Sequence, residues 1–257
     1  MQIIACQLDI AWEDKAASHA RVAHMLAAAD VQPGALVVLP EMFATGFSMN
    51  VAAIADDVTR DTHEFCAALA RQHDVFVLAG VVMRAADGRG RNEAVAFAPH
   101  GGELARYCKL HPFSLAGEAD RYVAGGDVVT FRWHALTVGP LLCYDLRFPE
   151  AFRRGVAHGA ELFTVIANWP AARAAHWTTL LHARAIENQA VVVGVNRTGR
   201  DPQHAYVGRS AIIDAHGESL IDAGEHETII AADIDARSIR NWREKFPALR
   251  DIRDDGR

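Results

Sequence analysis

Short apolar runs rich in Val, Ile and Leu recur along this chain, and amphipathic helical patterns lie between several of them. Runs of this kind are typical of buried strands, and apolar residues three and four positions apart are typical of helices that cover a sheet. The strand-like runs are 2–8, 35–40, 75–82, 93–98, 103–108, 136–143, 161–167, 190–196, 209–214 and 227–233. The helical patterns are 14–30, with Asp14 as a candidate N-cap, 60–73, 149–158 and 173–189. The sequence therefore predicts α/β layers in which helices lie outside two packed sheets.

Two glycine-containing turns indicate that these sheets are mixed. Gly101-Gly102 and His216-Gly217 separate neighbouring strand-like runs and are typical of hairpin turns, which join antiparallel strands. No internal repeat, low-complexity tract or linker rich in Pro, Gly or Ser divides the 257 residues. A single domain over residues 1–257 is the simplest division.

Charge and the amino terminus limit the possible partners. The formal net charge of -6 disfavours nucleic acids and anionic membrane surfaces, because both are polyanions. The first ten residues carry neither a basic segment nor an apolar stretch long enough to anchor the chain in a membrane. We therefore expect a cytoplasmic protein that acts on small molecules.

The cysteine and histidine spacings argue against disulfides and metal sites. Cys6, Cys66, Cys108 and Cys143 lie far apart without a CxxC pair, which favours reduced thiols. His111, His176 and His182 could suggest a Cys-His hydrolase or a metal site, but they lack the spacing of a known ligand motif such as HExxH. The expectation is a protein without a metal.

Three strand-like runs end on groups that together could cleave an amide: Glu41, Lys109 and Cys143. Cys143 would be the nucleophile and Glu41 the base, with the field of Lys109 favouring the thiolate. Lys109 and the backbone N–H of Tyr144 would hold the oxyanion. Each residue also has an ordinary structural interpretation, as a buried small side chain, a paired carboxylate or a strand-end charge. Asp145 and Arg147, close to the nucleophile, are expected to pair with each other and hold the turn.

The same segments closely resemble the motifs of the nitrilase superfamily of carbon–nitrogen hydrolases. Leu39-Pro40-Glu41 resembles its glutamate motif, Tyr107-Cys108-Lys109-Leu110-His111 its lysine motif, and Cys143-Tyr144-Asp145-Leu146-Arg147-Phe148-Pro149-Glu150 its cysteine motif. The resemblance implies a four-layer α-β-β-α sandwich of two mixed sheets, with no metal and no organic cofactor. It also implies homodimers joined through helices near the cysteine, or higher homo-oligomers, and a second glutamate, Glu118, that orients Lys109 or the substrate amide. A loop glutamate without a catalytic part is the alternative for Glu118.

Segments 167–177 and 183–189 resemble the omega-amidase branch of that superfamily, which hydrolyses the terminal amide of short 2-oxo dicarboxylate monoamides such as 2-oxoglutaramate and 2-oxosuccinamate. Such a substrate needs a cationic partner for its distal carboxylate, and Arg173 is the candidate, unless it only faces solvent. Trp169 and Phe43 are candidate walls of the pocket, although core packing explains either aromatic equally well. The alternatives are a hydrolase of another aliphatic amide, a nitrile or an N-carbamoyl compound, and a non-catalytic interaction protein with an inherited hydrolase fold.

Overall fold

Two six-stranded sheets form the centre of the molecule in the computed structural model, which describes residues 1–57 and 60–253. The first sheet has the order β14-β1-β2-β3-β4-β5, the second has the order β13-β12-β9-β8-β7-β6, and β10 pairs with β11 in a small separate ribbon. The strands are β1 Gln2–Gln7, β2 Leu36–Val38, β3 Phe76–Arg84, β4 Gly90–Phe97, β5 Glu103–Cys108, β6 Phe131–Trp133, β7 Leu136–Leu142, β8 Leu162–Ala167, β9 Val191–Asn196, β10 Thr198–Arg200, β11 Ala205–Val207, β12 Ala211–Ile213, β13 Ser219–Asp222 and β14 Thr228–Asp233.

The two large sheets repeat one pairing pattern. In the first, β14 is antiparallel to β1, the strands β1, β2 and β3 are parallel, and β4 and β5 follow antiparallel. In the second, β6 is antiparallel to β7, the strands β7, β8 and β9 are parallel, and β12 and β13 follow antiparallel. The two sheets thus share the same sequence of parallel and antiparallel neighbours. This pattern places the carboxyl ends of parallel strands, where ligands usually bind in such sheets, at corresponding positions in both sheets.

Helices cover the outer face of each sheet. In β1, Ile3 and Ala5 face the second sheet, whereas Ile4 and Cys6 face the helices, as the two-residue period of a strand requires. The helices α1 and α3 pack on this face of the first sheet. Val22 of α1 belongs to the same apolar cluster as Ile4 and Cys6. The helices are α1 Lys15–Ala27, α2 Val51–Ile54, α3 Asp61–His73, α4 Glu118–Arg121, α5 Pro149–Ala157, α6 Ala174–Asn188 and α7 Ala236–Lys245.

The second sheet is covered by α5 and α6. Phe152 of α5 packs on Phe163 of β8 with ring centroids 5.1 Å apart, and Trp177 and Leu181 of α6 lie directly over Gly194 of β9. Any side chain at Gly194 would overlap Leu181. With α1 and α3 on the opposite side, this confirms the predicted four-layer α-β-β-α sandwich of two mixed sheets.

All ten predicted strands and all four predicted helices are present, with ends that differ by at most three residues. Asp14 caps α1 by accepting a hydrogen bond from the Ala17 backbone N–H. The predicted turn at Gly101 joins β4 to β5. The turn at His216-Gly217 joins β12 to β13, whereas the predicted run 227–233 is β14 of the other sheet.

The sequence interpretation missed several short elements and one longer helix, α7. Asp235 caps α7 through the Arg237 and Ser238 backbone N–H groups, and Trp242 packs on His216 with ring centroids 4.2 Å apart. Trp242 therefore docks within its own chain. The other missed elements are β6, β10, β11, β13, α2 and α4.

None of the helices within the described ranges combines the length and the apolar character needed to cross a lipid bilayer.

Candidate active site

The ends of strands from both sheets bring Glu41, Lys109 and Cys143 together. Glu41 follows β2 and Lys109 follows β5 in the first sheet, whereas Cys143 follows β7 in the second. The Glu41 segment lies directly against β3, where a Cβ on Gly80 would be 2.5 Å from the Glu41 Cα. Only glycine allows the two backbones to approach so closely.

Lys109 is a buried ammonium held between two buried carboxylates. Its Nζ donates to Glu41 Oε1 at 2.9 Å and to Glu118 Oε2 at 2.9 Å, and the exposed fraction of its side chain is 1%. Burial alone would lower the pKa of Lys109, but the charges of Glu118 and Glu41 outweigh it and hold the pKa well above its usual value. Lys109 is therefore a permanent cation. Glu118, which the resemblance singled out, contacts Lys109 directly.

Glu41 is held as a carboxylate although it is fully buried. Its Oε1 accepts from Lys109 and from Asn92 Nδ2 at 2.8 Å, and its Oε2 accepts from the Asn168 backbone N–H at 2.9 Å. Burial raises the pKa of Glu41, but the Lys109 charge and these hydrogen bonds together lower it by more. The pKa of Glu41 therefore lies below its usual value. The ionised form can accept a proton near neutral pH.

Cys143 begins a tight 3₁₀ helix, Cys143–Arg147, with a left-handed backbone at φ 42°. This conformation is costly for a residue with a side chain, and such strain is common at functional sites. Cys143 is also partly exposed, whereas Cys6, Cys66 and Cys108 are buried.

Lys109 favours the Cys143 thiolate, as expected, but its effect does not decide the protonation state of the thiol. Burial and the Glu41 carboxylate raise the pKa of the Cys143 thiol well above its usual value, and the opposing effect of Lys109 is smaller. The resting pair is thus a neutral thiol beside an ionised carboxylate. A nucleophile of this kind must lose its proton to a base as it attacks.

The expected ion pair between Asp145 and Arg147 is absent from the described residues, and the prediction was wrong. Asp145 is fully buried and accepts hydrogen bonds from the Tyr107 hydroxyl at 2.6 Å and the Leu142 backbone N–H at 3.0 Å. It also accepts the His111 backbone N–H at 3.1 Å. Because its four lone-pair directions are used by these groups and the His111 ring, none is left for Arg147.

A pocket opens over Cys143 and Lys109. Phe43 was predicted as one wall, but it is fully buried in the layer between the first sheet and its helices, with its ring 5.7 Å from that of His19. Phe47, four residues further on, lines the pocket instead, and its ring centroid lies 5.3 Å from Lys109 Nζ. The pocket is lined by Phe47, Lys109, Phe113, Ala116, Cys143, Tyr144, Arg147, Asn168, Trp169, Pro170, Arg173, His204 and Tyr206.

Arg173 and Arg147 both line this pocket, and within the described part of the chain neither guanidinium forms an ion pair with a carboxylate. Arg147 lies over the ring of Trp169 at 4.8 Å, and Arg173 over the ring of Phe113 at 5.4 Å. The Trp169 indole N–H donates to the Arg173 carbonyl at 2.8 Å and thereby ties this wall together. The sequence interpretation missed Arg147 as a pocket residue because it assigned its charge to Asp145.

Tyr144 contributes to the pocket next to the thiol. Its backbone N–H lies in the first turn of the 3₁₀ helix, where N–H groups have no partner inside the helix. Such a group can donate to an oxygen bound above Cys143.

Among the residues described, no cluster of three His, Cys, Asp or Glu side chains could hold a metal ion. The charged groups of the site are Glu41, Lys109, Glu118, Arg147 and Arg173.

Two sheets between helical layers, with an acid, an amine and a thiol gathered at their shared end, define an α/β sandwich of the nitrilase superfamily type. The chain belongs to the carbon–nitrogen hydrolase family, whose family model matches residues 3–244. It is an amidase-type carbon–nitrogen hydrolase by this membership and by its relatives.

Curated relatives match over most of their length. The chain is 40% identical to an omega-amidase YafV of Yersinia enterocolitica over 86% of this chain and 85% of the relative. It is 34% identical to a 2-oxoglutaramate amidase of Bacillus subtilis over 98% of both. A crystal structure of a CN-hydrolase superfamily protein from Xanthomonas campestris, with an arsenic adduct in its active site, superposes with a TM-score of 0.92 at 34% identity over 99% of this chain and 97% of that one.

Proposed function

We propose that this protein hydrolyses the terminal amide of short 2-oxo dicarboxylate monoamides, such as 2-oxoglutaramate and 2-oxosuccinamate, to the acid and ammonia. The observation that carries the proposal is the placement of Glu41 and Lys109 beside the one partly exposed cysteine, under a pocket with two guanidinium groups that have no carboxylate partner among the described residues. The relatives named omega-amidase and 2-oxoglutaramate amidase support the same substrate class.

The first half-reaction forms a thioester. Cys143 Sγ attacks the amide carbonyl carbon while its proton passes to Glu41 Oε2, and the carbonyl oxygen becomes an oxyanion. Lys109 and the Tyr144 backbone N–H stabilise that oxyanion. The tetrahedral species then collapses with cleavage of the C–N bond, and Glu41 returns its proton to the leaving nitrogen, which departs as ammonia.

The second half-reaction releases the acid. Glu41 takes a proton from a water molecule, whose oxygen attacks the thioester carbonyl carbon. The C–S bond breaks, and the proton held by Glu41 returns to Cys143 Sγ. Lys109 remains charged through both halves, consistent with its raised pKa. Glu118 keeps Lys109 in place through two hydrogen bonds to Nζ, at 2.9 and 3.1 Å.

The distal carboxylate of the substrate binds Arg173, with Arg147 next to it. A buried carboxylate requires a charged partner, and guanidinium matches it with two parallel hydrogen bonds. A neutral amide or a simple nitrile would leave both cations without a counter-charge in the pocket. This consideration favours an anionic amide over the alternative substrates.

We further propose that the protein forms a homodimer or a higher homo-oligomer through the helices near Cys143. Ile186 on α6 supports this, because an apolar side chain with 56% of its surface exposed gains by burial against a partner. Sedimentation of the wild type and of Ile186→Glu would test it, with dissociation of the variant as the expected result. The cytoplasm is the proposed location, because all four cysteines are free thiols.

The assignment is tested by ammonia release. The purified protein should release ammonia from 2-oxoglutaramate and 2-oxosuccinamate with higher kcat/KM than from neutral aliphatic amides, nitriles or N-carbamoyl compounds. Cys143→Ala should abolish release, whereas Cys66→Ala, at a buried cysteine outside the pocket, should retain it. Turnover in Cys143→Ala would refute the mechanism, and a neutral amide as the best substrate would refute the substrate class. A trivalent arsenical should label Cys143 before Cys66.

A further inference from the structure

Two buried asparagines beside Glu41 each have a side-chain oxygen without a hydrogen-bond partner among the residues that the structure describes. Both side chains are almost completely buried. Oδ1 of Asn92 and Oδ1 of Asn168 therefore have no contact with solvent, and neither accepts a hydrogen bond from a described residue. A buried polar atom that remains unpaired destabilises the fold and calls for an explanation. In both residues the amide nitrogen, on the opposite side of the carboxamide, points to Glu41.

Asn92 comes from the first sheet and joins the two glutamates. Its Nδ2 uses one hydrogen for Glu41 Oε1 at 2.8 Å and the other for Glu118 Oε1 at 2.9 Å. Turning the amide over would place its oxygen against two carboxylates. The orientation is therefore fixed by the acids, and Oδ1 is left without a donor.

Asn168 comes from the second sheet and holds the other side of Glu41. Its Nδ2 donates to the Glu41 backbone carbonyl at 2.6 Å, and its backbone N–H donates to Glu41 Oε2 at 2.9 Å. Glu41 Oε1 already receives two short hydrogen bonds, from Lys109 and Asn92. Oε2 receives one short bond and a longer one of 3.4 Å from Asn168 Nδ2, which leaves it room for a proton.

We propose that Asn92 and Asn168 are positioning residues that make Oε2 the basic oxygen of Glu41 and keep the carboxylate ionised beside Cys143. The inference rests on the proposed function for Glu41 as the base. Asn92 saturates Oε1, and Asn168 fixes the main chain of Glu41 from the opposite sheet. The two unpaired amide oxygens are the structural cost of this arrangement.

The charged and titratable groups that face Glu41 are Lys109, Glu118, Cys143 and the Tyr122 phenol. Lys109 favours the ionised carboxylate, and Glu118 opposes it by like charge. Removal of the Asn92 donor therefore favours the protonated form of Glu41. Without Asn92, Lys109 alone would offset the repulsion between the carboxylates of Glu41 and Glu118.

Alkylation of Cys143 by iodoacetamide, measured against pH and assigned by peptide mass mapping, tests this without any amide substrate. Proton removal by Glu41 should give an acidic limb to the rate. Asn92→Leu should move that limb up by about one pH unit. Asn168→Leu should lower the plateau rate about tenfold with a smaller shift, because its backbone N–H remains.

A matched control is Asn188→Leu. Asn188 on α6 is also fully buried, and its Oδ1 has no partner within the described ranges, but its Nδ2 donates to the Arg184 carbonyl and not to Glu41. It should leave the profile unchanged. Asn92→Ser, whose hydroxyl cannot reach both glutamates, replaces Asn92→Leu if the latter does not fold.

An unchanged acidic limb in a folded Asn92 variant would overturn the inference. The same limb moved equally by Asn188→Leu would also overturn it, because the effect would then be a general one of packing. Failure of the proposed function would appear differently, as absence of ammonia release by a wild type whose Cys143 still shows the predicted alkylation profile.

Discussion

Nδ1 of His111 lies 2.7 Å from Oδ1 of Asp145, and the same oxygen accepts the His111 backbone N–H. The other oxygen of Asp145 accepts the Tyr107 hydroxyl and the Leu142 backbone N–H. One buried carboxylate thus joins the segment that follows β5 to the turn that follows β7. Asp145 therefore helps to set the distance between the Lys109 ammonium and the Cys143 thiol.

Asp145→Asn should therefore weaken both the fold and the chemistry. The amide has the same shape, but its NH₂ would face donors, and the hydrogen bonds to a charged group would be lost. We expect a loss of about 3 kcal/mol in the free energy of unfolding, measured by urea denaturation. Asp127→Asn, at a side chain that is 65% exposed, should change it by less than about 0.5 kcal/mol. Equal stability of the two variants would contradict the role given to Asp145.

Gly80→Ala should displace Glu41. The new Cβ would lie 2.5 Å from both the Glu41 Cα and the Met42 N. Both are backbone atoms, so the overlap cannot be relieved by rotation of a side chain. A shift of about 1 Å in a catalytic group lowers kcat about a hundredfold. Gly126→Ala, where nothing lies within 4 Å, is the control for ammonia release. Wild-type kcat in a folded Gly80→Ala enzyme would show that the close approach has no catalytic importance.

Arg173→Ala should act on substrate binding. A hydrogen bond to a charged group contributes about 1.5–3 kcal/mol, so KM for 2-oxoglutaramate should rise about 10- to 150-fold. KM for a neutral aliphatic amide should not rise. Arg147→Ala is expected to have the same selectivity, and Arg154→Ala, on the exposed face of α5, should have no effect. Equal losses for charged and neutral amides would exclude Arg173 as the carboxylate partner.

Glu41 should make the stability of the protein depend on acid. Because its pKa is lower in the folded chain than in the unfolded one, its ionisation stabilises the fold above about pH 4.3, the usual pKa of glutamate. That contribution is lost as the pH falls through the folded value. The difference in the free energy of unfolding between wild type and Glu41→Gln should therefore shift against the wild type on acidification. A difference that is constant from neutral to acidic pH would contradict the lowered pKa.

The convergence of Glu41, Lys109 and Cys143 could be predicted because each stands where an apolar run ends, and the end of a buried strand is a position that local composition reveals. Helix α7 was also within reach: Asp235 is a capping residue, and Ala236, Ile239 and Trp242 follow at a spacing of three.

The side chains that contact these groups could not be predicted from the sequence. Asn92 lies within β4, one residue before the predicted strand, and nothing in its neighbourhood shows that its amide meets two carboxylates that lie far from each other in the sequence. Phe43 and Phe47 are separated by one turn of irregular backbone, so the choice of the pocket wall depends on the path of the chain after Glu41. Arg147 was assigned to the nearest acid in sequence, whereas that acid is used up by Tyr107 and His111.

The repeated strand pattern separates the reactive groups between two halves of the chain. The chain up to Lys109, the residue directly after β5, supplies the acid and the amine, and the nucleophile comes only after β7. If the chain were divided in the segment between β5 and β6, neither of the two polypeptides would release ammonia alone. Mixing them would restore turnover only if the two halves recombine in register. Ammonia release could thus serve as a reporter of how the two sheets meet during folding.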